Sequence, residues 1–503
     1  MMAKPLVIYN ARLVDADTDS PGAILVSDGK IRAVFLGYFT NSSTAAALAG
    51  AVLAEDGNSS AEPELFDAGG LVIEPAFVDM HVHTRWPGFP QKEDLDSCMH
   101  AAAAGGFGTV VAMPNTNPVI SSMEAALEVE RSAAALGLGH LFQTVSITEN
   151  FGGESVGHIF SLDRRYVPVI TEDGHDVASS SVMLAAMTAA AEKGIIVGCH
   201  CEDPELAALA KPFRRNALEL MKSCGLSAWG AADDDISGIP DGTLDEIDRL
   251  IGCANDFLAL AENSATERNI MLAQKAGCRV HIDHISTARA IDSVRAAKSM
   301  IYDNEADFLD DESSAAWDAF CDGQPFVPTP KKSGFSVTCE VTPHHIALCG
   351  TEEPFIRAFV NPPLRTEEDR LALIEALRDG TIDVISTDHA PHTLDDKAAG
   401  APGFTGLETA FAVCSSVLVQ TGQLSLGQLS RLMSANPARI LGLNKGLLRS
   451  GFDADLVLID PDEIWTVDSR LFCSRGRATP FDGYALAGRV KGLFIDGREI
   501  YRS

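Results

Sequence analysis

The chain has no apolar run that approaches the ~20 residues needed to cross a bilayer. Its opening stretch, MMAKPLVIYNARLVDADTDS, holds one Lys and then a strand-like run closed by acids, which is not a secretory signal. A cytoplasmic protein is expected. Basic residues are also scarce: Lys+Arg number 39 against Asp+Glu 70, a formal net charge of -31. A nucleic acid or an anionic membrane would repel such a chain, so neither is an expected partner. A basic pocket can still sit inside an acidic shell, and the plain reading of the excess acid is solubility. The 11 cysteines nowhere form paired CxxC clusters, which excludes a zinc knuckle. Cys199 and Cys201 flank His200, but strand alternation turns both away from it, and reduced buried thiols are the expectation. No GxGxxG follows an early strand, so the sign of a Rossmann-type sheet is missing.

What is present is a globular balance, 46% hydrophobic and 22% charged over 503 residues, enough for a sizeable core. Both ends alternate apolar runs with turn residues: AILVSDGKIRAVFLG near the start and RVKGLFIDGREIYRS at the finish, each with a DG hairpin signal. Between them come LVIEPAFVDMHVH, TVVAMPN, LFQTVSIT, YVPVITEDG, IIVGCHCED, RVHIDHIST, FSVTCEVTPHH and IDVISTDHAPH, most followed by a stretch of helical period. Examples are SSMEAALEVERSAAALG and VASSSVMLAAMTAAAEKG. Eight such units predict an α/β fold, a (β/α)8 TIM-like barrel over 71–439. A small β-sandwich domain is expected from both termini, 1–70 with 440–503. Acidic, turn-rich stretches near 225–250 and 299–333 read as insertions between barrel units, where loops tolerate length.

The ends of successive apolar runs carry His81 and His83, then Asn115, Asp173, His200, His284 and Asp388. In a barrel of this kind the site lies at the C-terminal ends of the strands. Side chains two apart share a face, so His81 and His83 can grip one ion. An HxH pair alone is a weak signal. Four histidines and two aspartates at five strand ends are harder to explain as buried, hydrogen-bonded side chains, and they suit a borderline metal such as Zn²⁺, one or two per chain. Bound water is acidified to about pKa 7 in zinc enzymes, which gives a hydroxide nucleophile. Asp388 would take its proton and pass it to a leaving nitrogen.

The segment DMHVHTRWPGFPQKED resembles the signature of dihydroorotases within the amidohydrolase superfamily. The resemblance runs on through GGFGTVVAMPNTNP, TEDG, HCED, HIDHIST, EVTPHH, NPPLRTEEDR, DGTIDVISTDHAPH and GLETAF into the tail SGFDADLVLID. It implies that His81, His83 and Asp388 hold a first metal, that His200 and His284 hold a second, and that Asp173 is a shared carboxylate. Many relatives bridge the metals with a carboxylated lysine, but Lys92 and Lys193 are not at strand ends. His281 competes with His284 in HIDHIST; its strand phase is opposite, so it is expected to pack outward.

Dihydroorotate carries a carboxylate, and binding it calls for a planar cationic donor such as Arg85. By resemblance Arg85 acts with Asn115 and His392, Asn361 bonds the ring, and backbone near Pro402 and Gly403 closes over it. The implied reaction is reversible cyclisation of N-carbamoyl-L-aspartate to dihydroorotate in pyrimidine synthesis. The partner is then a small molecule, with a homodimer left open. An allantoinase or hydantoinase is the alternative and would not need Arg85. A non-catalytic scaffold should lack one of the ligands, and none is missing. Trp86, Glu172 and Asp283 depart from the family pattern, and His344 and His345 stay open between donors behind the ligands and satisfied core groups.

Overall fold

The computed structural model describes residues 4–55, 62–226, 238–301, 334–350 and 360–503. The chain begins with β1 (Leu6–Val14), β2 (Asp19–Ser27) and β3 (Lys30–Leu36), then β4 (Glu64–Asp67) and β5 (Val72–Pro75). The SDGK turn places Asp28 at φ 52° and Gly29 at φ 74°. Two left-handed residues in a row are what a tight two-residue hairpin requires, and Asp and Gly tolerate them best. The run LVIEPAFVD does not make one strand. It splits at Pro75, with β5 joining the terminal sheet and the next residues starting a different layer.

That layer consists of parallel strands separated by helices. β6 (Phe77–Val82), β7 (Phe107–Ala112) and β8 (His140–Gln143) form one array. β9 (Val169–Thr171), β10 (Ile196–Cys199), β11 (Arg279–Ile282), β12 (Ser336–Val341) and β13 (Val384–Ile385) form a second. All pairs within both arrays are parallel. Parallel bridges Val145↔Ile170 and Val82↔His389 join the arrays at both of their edges. β6 and β7 are buried along their whole length, as strands covered on two faces must be, which is why they read as continuous apolar runs.

The helices between strands start and stop where local chemistry sets them. Ser122 caps Met123–Leu136 and Gly137 ends it at φ 69°, while Ser179 and Gly194 (φ 66°) do the same for Ser180–Lys193. A left-handed terminal residue costs glycine nothing for want of a Cβ. The expected insertion near 225–250 is only partly a loop. Asp241–Ala276 is one 36-residue helix, so GTLDEID forms its first turns. It packs on Pro204–Ser223 through Ala217, Met221, Ile247 and Ile251. Residues 227–237, and the stretch 302–333 of the other insertion, lie outside the described residues.

The chain returns as β14 (Leu456–Thr466), β15 (Ala485–Ile495) and β16 (Arg498–Arg502). β14 pairs antiparallel with β5, Val457 against Glu74, and so completes an eight-stranded sheet drawn from both ends of the chain. The FIDGRE turn repeats the first hairpin, with Asp496 at φ 50° and Gly497 at φ 72°. Phe77 lies at the junction, stacked on Phe411 (5.5 Å) and edge-on to Phe107 (5.6 Å). Ten of the 11 cysteines are among the described residues; all ten are free thiols, and Cys199 and Cys201 are buried.

Candidate metal centre

The parallel strands end together, and the residues just beyond their last apolar positions share one buried space. His81 is the penultimate residue of β6 and His83 follows it; Asp173, His200, His284 and Asp388 lie one to three residues past β9, β10, β11 and β13. Asp173 sits at the middle. Its Oδ1 is 3.4 Å from His81 Nε2, 3.3 Å from His200 Nδ1 and 3.6 Å from His284 Nε2, and its Oδ2 is 3.4 Å from His83 Nε2. Asp388 Oδ1 lies 3.2 Å from His83 Nε2 and 3.6 Å from His81 Nε2. His200 Nδ1 and His284 Nε2 are 2.9 Å apart.

These spacings fit a cation. Ligands at the 2.0–2.1 Å bond length of tetrahedral zinc stand roughly 3.3 Å from one another, the separation seen throughout the cluster. The His81 Nε2 atom is buried with no hydrogen-bond partner, as a lone pair reserved for an ion would be. Two groupings around His81, with Asp173 and His284 or with His83 and Asp388, could each hold a metal ion. The charges agree. Burial alone would neutralise His200, yet the Asp173 carboxylate overrides it and raises the ring's pKa to about 10. Asp173 and Asp388 are held well below the usual carboxylate range against the same burial by the surrounding imidazoles.

The two lysines weighed as alternatives to Asp173 are elsewhere. Lys193 donates to the Phe160 carbonyl at the surface, and Lys92 reaches His392 Nδ1 at 3.3 Å on the pocket rim. His281 does not pack outward. The β11 strand stops at Ile282, and the chain turns at His284, whose φ is 33°, so counting strand phase through to His284 fails. His281 is buried, 3.2 Å from Glu340 Oε2 and 2.7 Å from Thr338 Oγ1.

Two buried carboxylates that the motif reading passed over tie the cluster together. Asp79 accepts from the backbone N–H of His81 (3.0 Å) and of Thr387 (3.1 Å), joining the start of the cluster to the residue before Asp388. Glu340 lies 2.9 Å from His81 Nδ1 and accepts the His284 N–H at 3.3 Å. An acid inside an apolar strand, as in FVDMHVH and SVTCEV, is the signal that could have found both, since an unpartnered buried charge is costly. Glu172 serves Thr148, accepting its N–H at 2.7 Å, and Asp283 faces Thr171 Oγ1 at 3.5 Å. His345 is a satisfied core group between Thr342 Oγ1 (2.7 Å) and the Pro362 carbonyl (3.1 Å).

The other side of the pocket is cationic. The Arg85 Nε donates to the Pro391 carbonyl at 3.1 Å, and Nη2 lies 3.2 Å from His392 Nε2. Among the described residues Arg85 has no carboxylate ion pair, and burial lowers its pKa, with Asp388 opposing. His392 Nε2 is 2.8 Å from the Pro402 carbonyl, and Lys397 donates to the Ala401 and Gly403 carbonyls at 2.9 and 2.8 Å. The segment from His392 to Gly403 is thus tied at both ends, around a short helix, Leu394–Ala398. Asn361 is held by Arg214 on its oxygen (2.8 Å) and by Glu202 on its nitrogen (2.8 Å). Asn115 has its oxygen 3.0 Å from His83 Nδ1 and its nitrogen 3.1 Å from Asp173 Oδ2.

Residues 72–500 match the model of the amidohydrolase family. The chain belongs to that family. Curated relatives of this amidohydrolase named dihydroorotase include one from Clostridium botulinum, 34% identical over 99% of both chains. Another, from Caldanaerobacter subterraneus subsp. tengcongensis, is 36% identical over 87% of this chain and 88% of its own. A third, from Aquifex aeolicus, is 31% identical over 99% of both. Among solved structures, the L-hydantoinase (dihydropyrimidinase) of Arthrobacter aurescens superposes with a TM-score of 0.74 at 23% identity, covering 100% of this chain and 96% of that one. The dihydropyrimidinase of Brevibacillus agri NCHU1002 does so at 0.72 and 19%, covering 99% and 95%. At that identity the structural likeness speaks for the fold alone. The amidohydrolase has no helix, among the described residues, long and apolar enough to cross a membrane.

Proposed function

We propose that this chain is a dihydroorotase, closing N-carbamoyl-L-aspartate to (S)-dihydroorotate and reopening it in de novo pyrimidine synthesis. The observation that carries the proposal is the pairing of a six-residue His/Asp cluster with a half-buried guanidinium that has no carboxylate ion pair among the described residues. His81, His83 and Asp388 would hold one Zn²⁺, His200 and His284 a second, with Asp173 between them. When bound, zinc polarises the ring carbonyl and makes water nucleophilic at neutral pH.

The chain's own groups do the rest. Asp388, ionised beside His83 and His81, accepts a proton from the attacking water. The carbon–oxygen bond forms and the ring carbon–nitrogen bond breaks. Asp388 then returns the proton to the leaving nitrogen, and cyclisation runs the same steps in reverse. Arg85, with His392 behind it, pairs the substrate carboxylate. A charged ring then binds, and a neutral one leaves the guanidinium without an anionic partner. Asn361 is aligned by Glu202 and Arg214 to bond the ring, and the backbone at Pro402 and Gly403 closes the far side. Asn115, which bonds His83 and Asp173, completes the set around the substrate carboxylate.

We also read the two parallel arrays as one closed (β/α)8 barrel over 71–439, on the strength of the pairings at both edges. The terminal strands, 1–70 with 440–503, are then a composite sandwich-like domain. A cytoplasmic location follows from the proposed role. Turnover of dihydroorotate, allantoin and dihydrouracil, measured side by side with metal content, tests the function. Dihydroorotate should be strongly preferred and zinc should copurify. Equal or faster opening of an uncharged ring would replace this reading with a hydantoinase or allantoinase.

A further inference from the structure

Glu340 is the penultimate residue of β12, and its side chain is completely buried. A carboxylate in that position needs partners, and it has three. Oε1 accepts from His81 Nδ1 at 2.9 Å and from the His284 N–H at 3.3 Å, and Oε2 accepts from His281 Nε2 at 3.2 Å. His281 is braced in turn by Thr338 Oγ1 at 2.7 Å. One acid thus reaches a ring and a main-chain group that belong to opposite halves of the cluster.

We propose that Glu340 is the positioning residue of the metal centre, fixing the His81 tautomer and the His284 backbone together. The inference rests on the metal-centre reading above and deepens it. An ionised carboxylate can only accept, so Nδ1 of His81 must carry the hydrogen, and Nε2 presents its lone pair toward Asp173 and Asp388. That is the nitrogen with no other partner. His284 has a φ of 33°, a left-handed backbone that is strained for a histidine. Its N–H is held in that conformation by the same oxygen. Removing Glu340 would free the His81 ring to turn and let the His284 main chain relax, loosening both ions at once.

Glu340 could itself be a ligand, since it lies with His81 and Asp283 in a third grouping able to hold an ion. The two roles separate on substitution. Gln can still accept from His81 and His284 through its amide oxygen, but supplies no anionic ligand. Metal affinity of apo-protein should be measured by chelator competition with Zn²⁺ for the parent, Glu340→Gln, Glu340→Ala and His281→Phe, with thermal melts alongside. The expected order is parent, then Glu340→Gln within a few-fold, then His281→Phe, with Glu340→Ala weaker by about 10- to 100-fold. The Co²⁺-substituted Glu340→Ala protein should also show an altered visible spectrum. Parent-like zinc affinity in Glu340→Ala would overturn the positioning role, and so would Glu340→Gln binding as weakly as Glu340→Ala, which would make Glu340 a ligand. If Glu340→Ala fails to fold, the Gln and Phe variants decide alone: Gln falling below His281→Phe would refute the proposal. A parent that binds no zinc would sink the metal reading itself.

Discussion

The two sides of the pocket are built differently. The His/Asp side stands on strand ends locked by two buried carboxylates, Asp79 and Glu340, so its donors are fixed by the most rigid part of the fold. The Arg85 side stands on loops: a guanidinium bonded to the Pro391 carbonyl, a histidine on the Pro402 carbonyl, and Lys397 clasping the turn behind them. The difference teaches a division of labour. On the proposed reading, chemistry that tolerates little displacement is placed on strands, and the choice of substrate is left to connections that can vary without disturbing it.

That contrast makes ordered predictions. Replacing Asp388 by Ala should cut kcat by about 10²- to 10⁴-fold, the usual worth of a positioned acid–base group, and the loss should persist when zinc is restored in excess. Normal turnover in that variant would remove Asp388 from the mechanism. Asp173→Ala touches all four imidazoles and should lower bound metal per chain, seen by elemental analysis; full stoichiometry would show that Asp173 bridges nothing. On the loop side, Arg85→Ala should raise KM for dihydroorotate about 10- to 100-fold, the cost of a charge-assisted hydrogen bond, and leave metal content alone. Unchanged KM would break the division between the two sides.

The smallest effect concerns pH. Burial, together with Arg85 and Lys92, pushes the His392 pKa down to about 2. The same ring in the unfolded chain takes its proton near pH 6.5. Below that pH the unfolded chain binds more protons than the folded one, so His392 costs stability progressively as pH falls toward 2. Melting temperature should therefore drop less steeply between pH 6.5 and 4 in His392→Asn than in the parent. Equal slopes would show that His392 is not held neutral.

Much of this was legible in the linear order. Each of the eight apolar runs of the middle region supplied a parallel strand, and the six His and Asp residues at five of their ends met in one space, because side-chain burial and strand length are local properties. Both DG hairpins formed for the same reason. What misled was reasoning that extended a local rule past its element. His281 was assigned outward by counting to His284 along a strand that had already ended, and part of an acidic stretch read as loop is helix because it packs on Pro204–Ser223.

By itself, then, the sequence determined the order of strands and helices, the turn chemistry and the identity of the polar groups at the strand ends, since these follow from periodicity and from what each side chain can bond. Only the tertiary structure decided which groups touch. It set Asn115 on His83 and Asp173, and His281 behind Glu340. It also placed β14 against β5, although most of the chain lies between them. Distances across a fold depend on how all the elements pack at once, and no stretch of chain carries that information alone.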